Sequence, residues 1–212
     1  MGGDSNSGKT TYINRIKYNK YIEGIAGSRD VSSDKINLEI NNLQICFEIW
    51  NTPSWVGINE NLSKVFIKQC NGILLLFSLF DRESFAHLDD CIKRMDEVSC
   101  FSLNIPVLLL GTHSDKEDKE VKSEDAINYA KKHNFIGYFE VSSKTGKNVY
   151  EAFEFLAYSL YQLKFEKKNE IKFKVKLYDV NDKKEGDEKF LLGKSNYYKF
   201  LMGFQFEHSK IK

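Results

Sequence analysis

The residues best suited to chemistry lie at the start of the chain. Gly3-Asp4-Ser5-Asn6-Ser7-Gly8-Lys9-Thr10 fits G-x-x-x-x-G-K-[ST], the phosphate-loop pattern that lies between a strand and a helix. In such a loop the backbone N–H groups from Ser5 to Lys9 cradle phosphate oxygens. Lys9 neutralises the β and γ oxygens, and the Thr10 hydroxyl ligates Mg²⁺. Gly3, Ser5, Asn6, Ser7, Gly8, Lys9, Thr10 and Thr11 therefore form the first set of expected nucleotide contacts. Two later segments end apolar runs in polar groups. "PVLLLGTHSDK" brings Thr112, His113 and Asp115, and "YFEVSSK" brings Ser142, Ser143 and Lys144.

The elements that position these residues are legible in the patterning. Tyr12, Ile13 and Ile16 recur at helical spacing, which predicts a helix over Gly8 to Tyr18 with its N-terminus at the phosphates. Leu43 to Trp50 and Gly72 to Leu79 read as strands, the second apolar on both faces. Helical stretches follow at roughly Ser84 to Val98, Ser123 to His133 and Asn148 to Leu163. The alternation predicts an α/β fold, a mostly parallel sheet with helices on both faces, whose ligand site lies beyond the carboxyl ends of the strands. From about Lys164 the character changes, with thirteen lysines against eight acids, which reads as an appendage.

Composition excludes several classes. The chain has 212 residues, 42% of them hydrophobic, enough for one normal core. Thirty-one basic and thirty acidic residues leave a net charge of +1, so no global field recruits nucleic acid or a membrane surface. Cys46, Cys70, Cys91 and Cys100 lack metal-binding or secreted-domain spacing and read as buried thiols in a reducing cytosol. No apolar run is long enough to span a bilayer. His87 and His133 fall in helical stretches and read as solvated or capping residues, and no zinc or Ser/His/Asp constellation stands out.

Taken in order, "GDSNSGKT", "LLLGTHSDK", "CNGILLLFSLFDRESF" and "FEVSSKTGKNV" resemble the Ras superfamily of small GTPases, most closely its Rab branch, over roughly residues 2 to 163. The resemblance implies a Ras-like phosphate-loop fold over residues 1–163 and a lysine-rich extension over 164–212, able to form an edge hairpin. It implies GTP and GDP with Mg²⁺ as ligands, and effector and regulator proteins as partners through the switch segments. It further implies a cytoplasmic monomer, brought to endomembranes through those partners. Asp115 matches the aspartate that accepts two hydrogen bonds from guanine, a donor pair adenine lacks. Ser142-Ser143-Lys144 matches the loop whose backbone N–H reads the guanine carbonyl. Thr112 and His113 stand where the family has asparagine and lysine, which implies weakened guanine affinity. Tyr21 matches the aromatic on the guanine edge and reads equally as an exposed loop tyrosine.

The switch segments depart most. Ser28 falls at the switch threonine and keeps its hydroxyl. The family's W-D-T-A-G-Q appears as "WNTPSW". Asn51 removes a charge from the outer shell of the metal, Ser54 replaces a glycine near the γ-phosphate, and Trp55 removes the amide that orients the attacking water. Two functions remain open: a GTP-dependent switch with impaired hydrolysis, or a pseudo-GTPase that binds proteins with little or no turnover. The chain ends "HSKIK", without a prenylation cysteine. Only Met1 and Gly2 precede the phosphate loop, so the strand that should carry it is expected to be missing, leaving a gap between its neighbours, a poorly anchored loop, and the reading of a truncated chain. The tail strand "IKFKVKLYDV", alternating with lysines, is not expected to fill that gap.

Overall fold

A computed structural model describes residues 1–24, 30–40, 43–54, 65, 67–98 and 104–165, together with three short strands in the tail. The elements, in chain order, are β1 (Gly2–Gly3), α1 (Lys9–Tyr18), β2 (Ser32–Ile40), β3 (Leu43–Asn51), β4 (Ile73–Ser78), α2 (Arg82–Ala86), α3 (Leu88–Glu97), β5 (Val107–Thr112), α4 (Ser123–Lys132), β6 (Gly137–Glu140) and α5 (Val149–Phe165). The tail adds β7 (Lys172–Leu177), β8 (Lys189–Leu192) and β9 (Phe204–Phe206). Among the described residues no helix is long and apolar enough to cross a membrane.

β1, β4, β5 and β6 form a parallel sheet in that order. β4 and β5 are buried at every position because both faces are covered. Ile73, Leu75 and Phe77 join Leu88, Cys91 and Met95 of α3 and Ala126 and Ala130 of α4 in one core. Leu74 and Leu76 point the other way, with Leu108 and Leu110, against Tyr12, Ile13 and Ile16 of α1 and Ala152, Phe153 and Leu156 of α5. Burying each such leucine contributes about 1.5–3 kcal/mol relative to exposure. These two layers hold the strand ends that carry the site.

The place expected to be empty holds Gly2 and Gly3 of β1. Gly2 pairs with Leu75 and Gly3 with Leu76. The Met1 amino group donates to the Trp50 carbonyl at 2.6 Å, and the Thr52 hydroxyl donates to the Met1 carbonyl at 2.7 Å. Met1 to Gly3 thus join β3 to β4 where the sequence suggested an open gap. Gly3 lies at φ +130, and a Cβ there would come within 2.2 Å of the Leu76 carbonyl oxygen, so only glycine permits this approach.

β2 and β3 form an antiparallel pair of nine residues each. β2 went unread in the sequence, although Ile36, Leu38 and Ile40 alternate with Lys35, Asn37 and Glu39. On β3, Ile45, Phe47, Ile49 and Asn51 turn inward, while Cys46 and Trp50 are exposed. Cys46 is therefore no buried thiol; Cys91 is buried and Cys70 half-buried. Cys100 lies outside the described residues. The single helix expected over Ser84 to Val98 is two, α2 and α3, with His87 ending one and opening the other. α2 begins where Asp81 accepts from the Ser84 N–H at 3.1 Å.

The tail strands make their own antiparallel sheet, in the order β8-β7-β9. β7 does not enter the parallel sheet. It is the middle strand of its own sheet rather than an edge, which an alternating strand tolerates because an antiparallel sheet can keep one face in water.

Candidate phosphate and base loops

The phosphate loop runs from the end of β1 to α1, and its turns need unusual backbone. Asn6 takes φ 59 and Gly8 takes φ 83, both left-handed, which asparagine and glycine adopt with least strain. α1 closes on Asn19, also left-handed, whose N–H bonds the Arg15 carbonyl at 2.9 Å. The Lys9 amine donates to the carbonyls of Gly3 at 3.1 Å and Asp4 at 2.6 Å, with the Ser7 hydroxyl at 3.5 Å. Lys9 is buried, and burial pushes its pKa down to about 8 against the opposing pull of Asp4. Ser7 is buried, whereas Ser5 and Asn6 are exposed.

Thr10 meets Asn51 at the mouth of this loop. The Asn51 Nδ2 donates to the Thr10 hydroxyl at 3.1 Å. Its Oδ1 is buried and has no hydrogen-bond partner, a costly state for an amide oxygen. A half-turn of the amide would let the oxygen accept the Thr10 proton and free that hydroxyl's lone pairs for a cation. The freed hydroxyl is a hard oxygen donor whose proton the amide oxygen would hold away from the cation, so the pair fits Mg²⁺ with part of its water shell retained. Ser28 and Trp55 lie outside the described residues.

The two candidate base loops follow β5 and β6. Thr112, at the end of β5, is buried, and its hydroxyl lies 3.0 Å from the Ser7 carbonyl, 3.0 Å from the Phe77 carbonyl and 3.0 Å from His113 Nδ1. It ties the loop after β5 to the phosphate loop. His113 turns the chain at φ 61, with Nδ1 also 3.1 Å from the Ser78 hydroxyl and its ring edge-on to Phe80 at 5.0 Å. Burial, and then Lys116, hold its pKa below the usual histidine value. The Lys116 amine sits over the Phe80 ring at 3.6 Å.

Asp115 is exposed rather than buried, and its Oδ1 accepts from the Ser142 hydroxyl at 2.6 Å. Ser142 Oγ also receives the Thr145 N–H at 3.1 Å. Ser143 is half-buried and Lys144 exposed on the same turn. Glu140, buried at the end of β6, accepts from Lys119 at 2.7 Å and from Ser123 at 2.5 Å, and its carbonyl receives the Asn148 amide at 2.9 Å. These bonds hold the two loops against each other. Tyr21 is exposed and makes no hydrogen bond or ring contact with them.

Sequence reasoning missed a cluster around Asp4. Its carboxylate accepts from the Ser5 N–H at 2.6 Å, the Ser54 hydroxyl at 3.0 Å and His87 Nδ1 at 2.6 Å. Burial opposes ionisation of Asp4, but the bonds from His87, Ser5 and Ser54 outweigh it and hold the carboxyl below its usual range. The same bond raises the His87 pKa. His87 does occupy a capping position, as expected, but its ring serves the phosphate loop across 83 residues of sequence. No local pattern signals such a contact.

A parallel sheet flanked by helices, a phosphate loop opening α1, and polar loops at the ends of β5 and β6 match a small-GTPase fold. The sequence profile of the Ras family matches residues 1–162, and the chain belongs to that family. Among curated relatives, Ras-related protein Rab-11B of Dictyostelium discoideum is 29% identical over 167 residues, 76% of this chain and 74% of the relative. Ras-related protein Rab-13 of Rattus norvegicus is 30% identical over 156 residues, 73% of this chain and 75% of the relative. Rab-13 of Canis lupus familiaris is 29% identical over a similar span.

Proposed function

We propose that this protein is a guanine-nucleotide switch that holds GTP or GDP with Mg²⁺ and hydrolyses GTP slowly. The observation that carries the reading is the 2.6 Å bond between Ser142 and Asp115, which brings two base-reading loops together while Thr112 ties one of them to the phosphate loop. Asp115 accepts the two guanine donors, and the turn at Ser142, Ser143 and Lys144 offers a backbone N–H to the guanine carbonyl. Gly3 to Thr11 hold the phosphates. Lys9 supplies the charge, although in the free protein its amine is spent on the loop's own carbonyls. Thr10 and Asn51 hold Mg²⁺, which when bound neutralises charge on the transferring phosphoryl group. Tyr21 and Ser28 complete the site from the first switch.

Slow hydrolysis follows from two substitutions. Trp55 offers no amide to orient water, and Asn51 brings no negative charge to the metal. Intrinsic turnover in Ras is already only about 3–5 × 10⁻⁴ s⁻¹. Residues 1–163 carry the switch, 164–212 form the extension, and effectors and regulators dock on the switch segments. A second reading, a protein-binding module without turnover, is favoured by the Asn51 amide donating to the very hydroxyl that should bind metal.

Two assays test these readings. Wild-type protein should bind GTP over ATP in Mg²⁺, with Asp115→Asn losing that preference; equal binding of both, or of neither, refutes the base site. In single-turnover experiments, Trp55→Gln with Asn51→Asp should hydrolyse GTP faster than wild type. A wild-type rate matching ordinary small GTPases refutes impaired hydrolysis, and complete absence of turnover supports the module.

A further inference from the structure

Arg15 stands on the last turn of α1, and its side chain reaches the loop after β6. The Nη2 donates to the Thr145 carbonyl at 3.1 Å, and Nη1 reaches the Asn19 carbonyl at 3.4 Å. The guanidinium packs against Gly146, where an added Cβ would come within 2.4 Å of Nη2 and 3.2 Å of both Cζ and Nε. Gly146 takes φ 88, so glycine is needed there both for the turn and for the arginine. The Nε is buried without a partner. A cation held at this incompletely satisfied position adds little to stability, and an unsatisfied buried donor calls for another explanation.

The contacts continue inward from Thr145. Its N–H donates to the Ser142 hydroxyl at 3.1 Å, and that hydroxyl donates to Asp115 at 2.6 Å. The turn is closed by Gly146 N–H to the Ser142 carbonyl at 2.8 Å and Ser142 N–H to the Lys147 carbonyl at 3.0 Å. From the other side, the Tyr150 hydroxyl donates to the Ile16 carbonyl at 3.0 Å. Ser142 to Lys147 is thus a small rigid turn, and Arg15 grips its outer edge from the helix that begins at the phosphate loop.

We infer that Arg15 is a positioning residue for guanine recognition: it sets the height of the Ser142–Lys147 turn, and so the aim of the backbone N–H that meets the guanine carbonyl. The inference rests on the proposed guanine site. Arg15 touches no part of the base itself and acts through Thr145 and Gly146. Losing it lets the outer part of the turn, around Thr145 and Gly146, relax away from the base, which weakens the bond to the carbonyl oxygen more than the two bonds to Asp115, which stands on the separate loop after β5. The effect is therefore on one edge of the base, and an analogue altered at that edge reveals it.

The experiment compares GTP with 6-thio-GTP, which keeps both donors for Asp115 and carries a weak acceptor in place of the carbonyl oxygen. Wild-type protein should prefer GTP. In Arg15→Ala, GTP affinity should fall about tenfold, the scale of losing one hydrogen bond at a well-formed site, while 6-thio-GTP changes less than about twofold. Arg15→Lys keeps a cation able to reach the Thr145 carbonyl and should recover most of the preference. Equal losses for both nucleotides in both variants would make Arg15 merely structural, and no loss in either would remove its role; each overturns the inference. If wild-type protein binds GTP no better than ATP, the guanine site itself is refuted and the inference with it.

Discussion

Thr112→Val removes one hydroxyl and keeps nearly the same shape. In the wild type Thr112 is 3% exposed, and its hydroxyl lies 3.0 Å from each of two carbonyls, of Ser7 and Phe77, and from His113 Nδ1. Its single proton serves one carbonyl at a time, while the oxygen can accept from the imidazole. Valine leaves those buried partners without it. Leaving a buried group unsatisfied costs about 1–3 kcal/mol, against a net gain of about 0.5–1.5 kcal/mol for an ordinary bond. At about 2–4 °C per kcal/mol for a chain of this size, the melting temperature should drop by roughly 2–12 °C. Because Ser7 sits in the phosphate loop, amide hydrogen exchange at Gly8 and Lys9 should quicken beyond the global change. Thr112→Ser, which keeps the hydroxyl, should show neither the exchange effect nor most of the loss. A valine variant that melts within about 1 °C of wild type with unchanged loop exchange would refute the idea that Thr112 anchors this loop.

Nucleotide affinity should depend on pH through Lys9. Its amine titrates at about 8 in the free protein because it is buried, and phosphate binding favours the ammonium form. Affinity should therefore be flat below neutrality, fall as pH rises through 8, and approach a loss of about tenfold per pH unit above that. Calorimetry in buffers of different ionisation enthalpy would show proton uptake near pH 8.5; a flat profile from pH 7 to 9 would refute it. Gly3→Ala sets a Cβ 2.2 Å from the Leu76 carbonyl and should cost more than about 3 kcal/mol in denaturant titration. Gly8→Ala, whose nearest neighbour is 3.5 Å away, should cost only about 1–2 kcal/mol. Equal stability of the two variants would show that β1 is not held against β4.

The sequence alone determined the elements whose signal is local. The phosphate loop, the helix after it, the doubly buried β4 and β5 and the polar loop ends are each written in a few adjacent residues, because periodicity and turn chemistry act over short spans. The same locality marked Asn51 in "WNTPSW". What depends on distant segments meeting was decided by tertiary structure. Gly2 and Gly3 lie between β3 and β4 only because Leu75, Leu76 and Trp50 present backbone partners on either side. Thr112 ties the end of β5 to the phosphate loop because folding sets its hydroxyl 3.0 Å from the Ser7 carbonyl, 105 residues away. Asp4 with His87, and Arg15 with Thr145, likewise lie 83 and 130 residues apart. Hydrogen-bond geometry is set by packing of helices on the sheet, and no pattern along the chain encodes it.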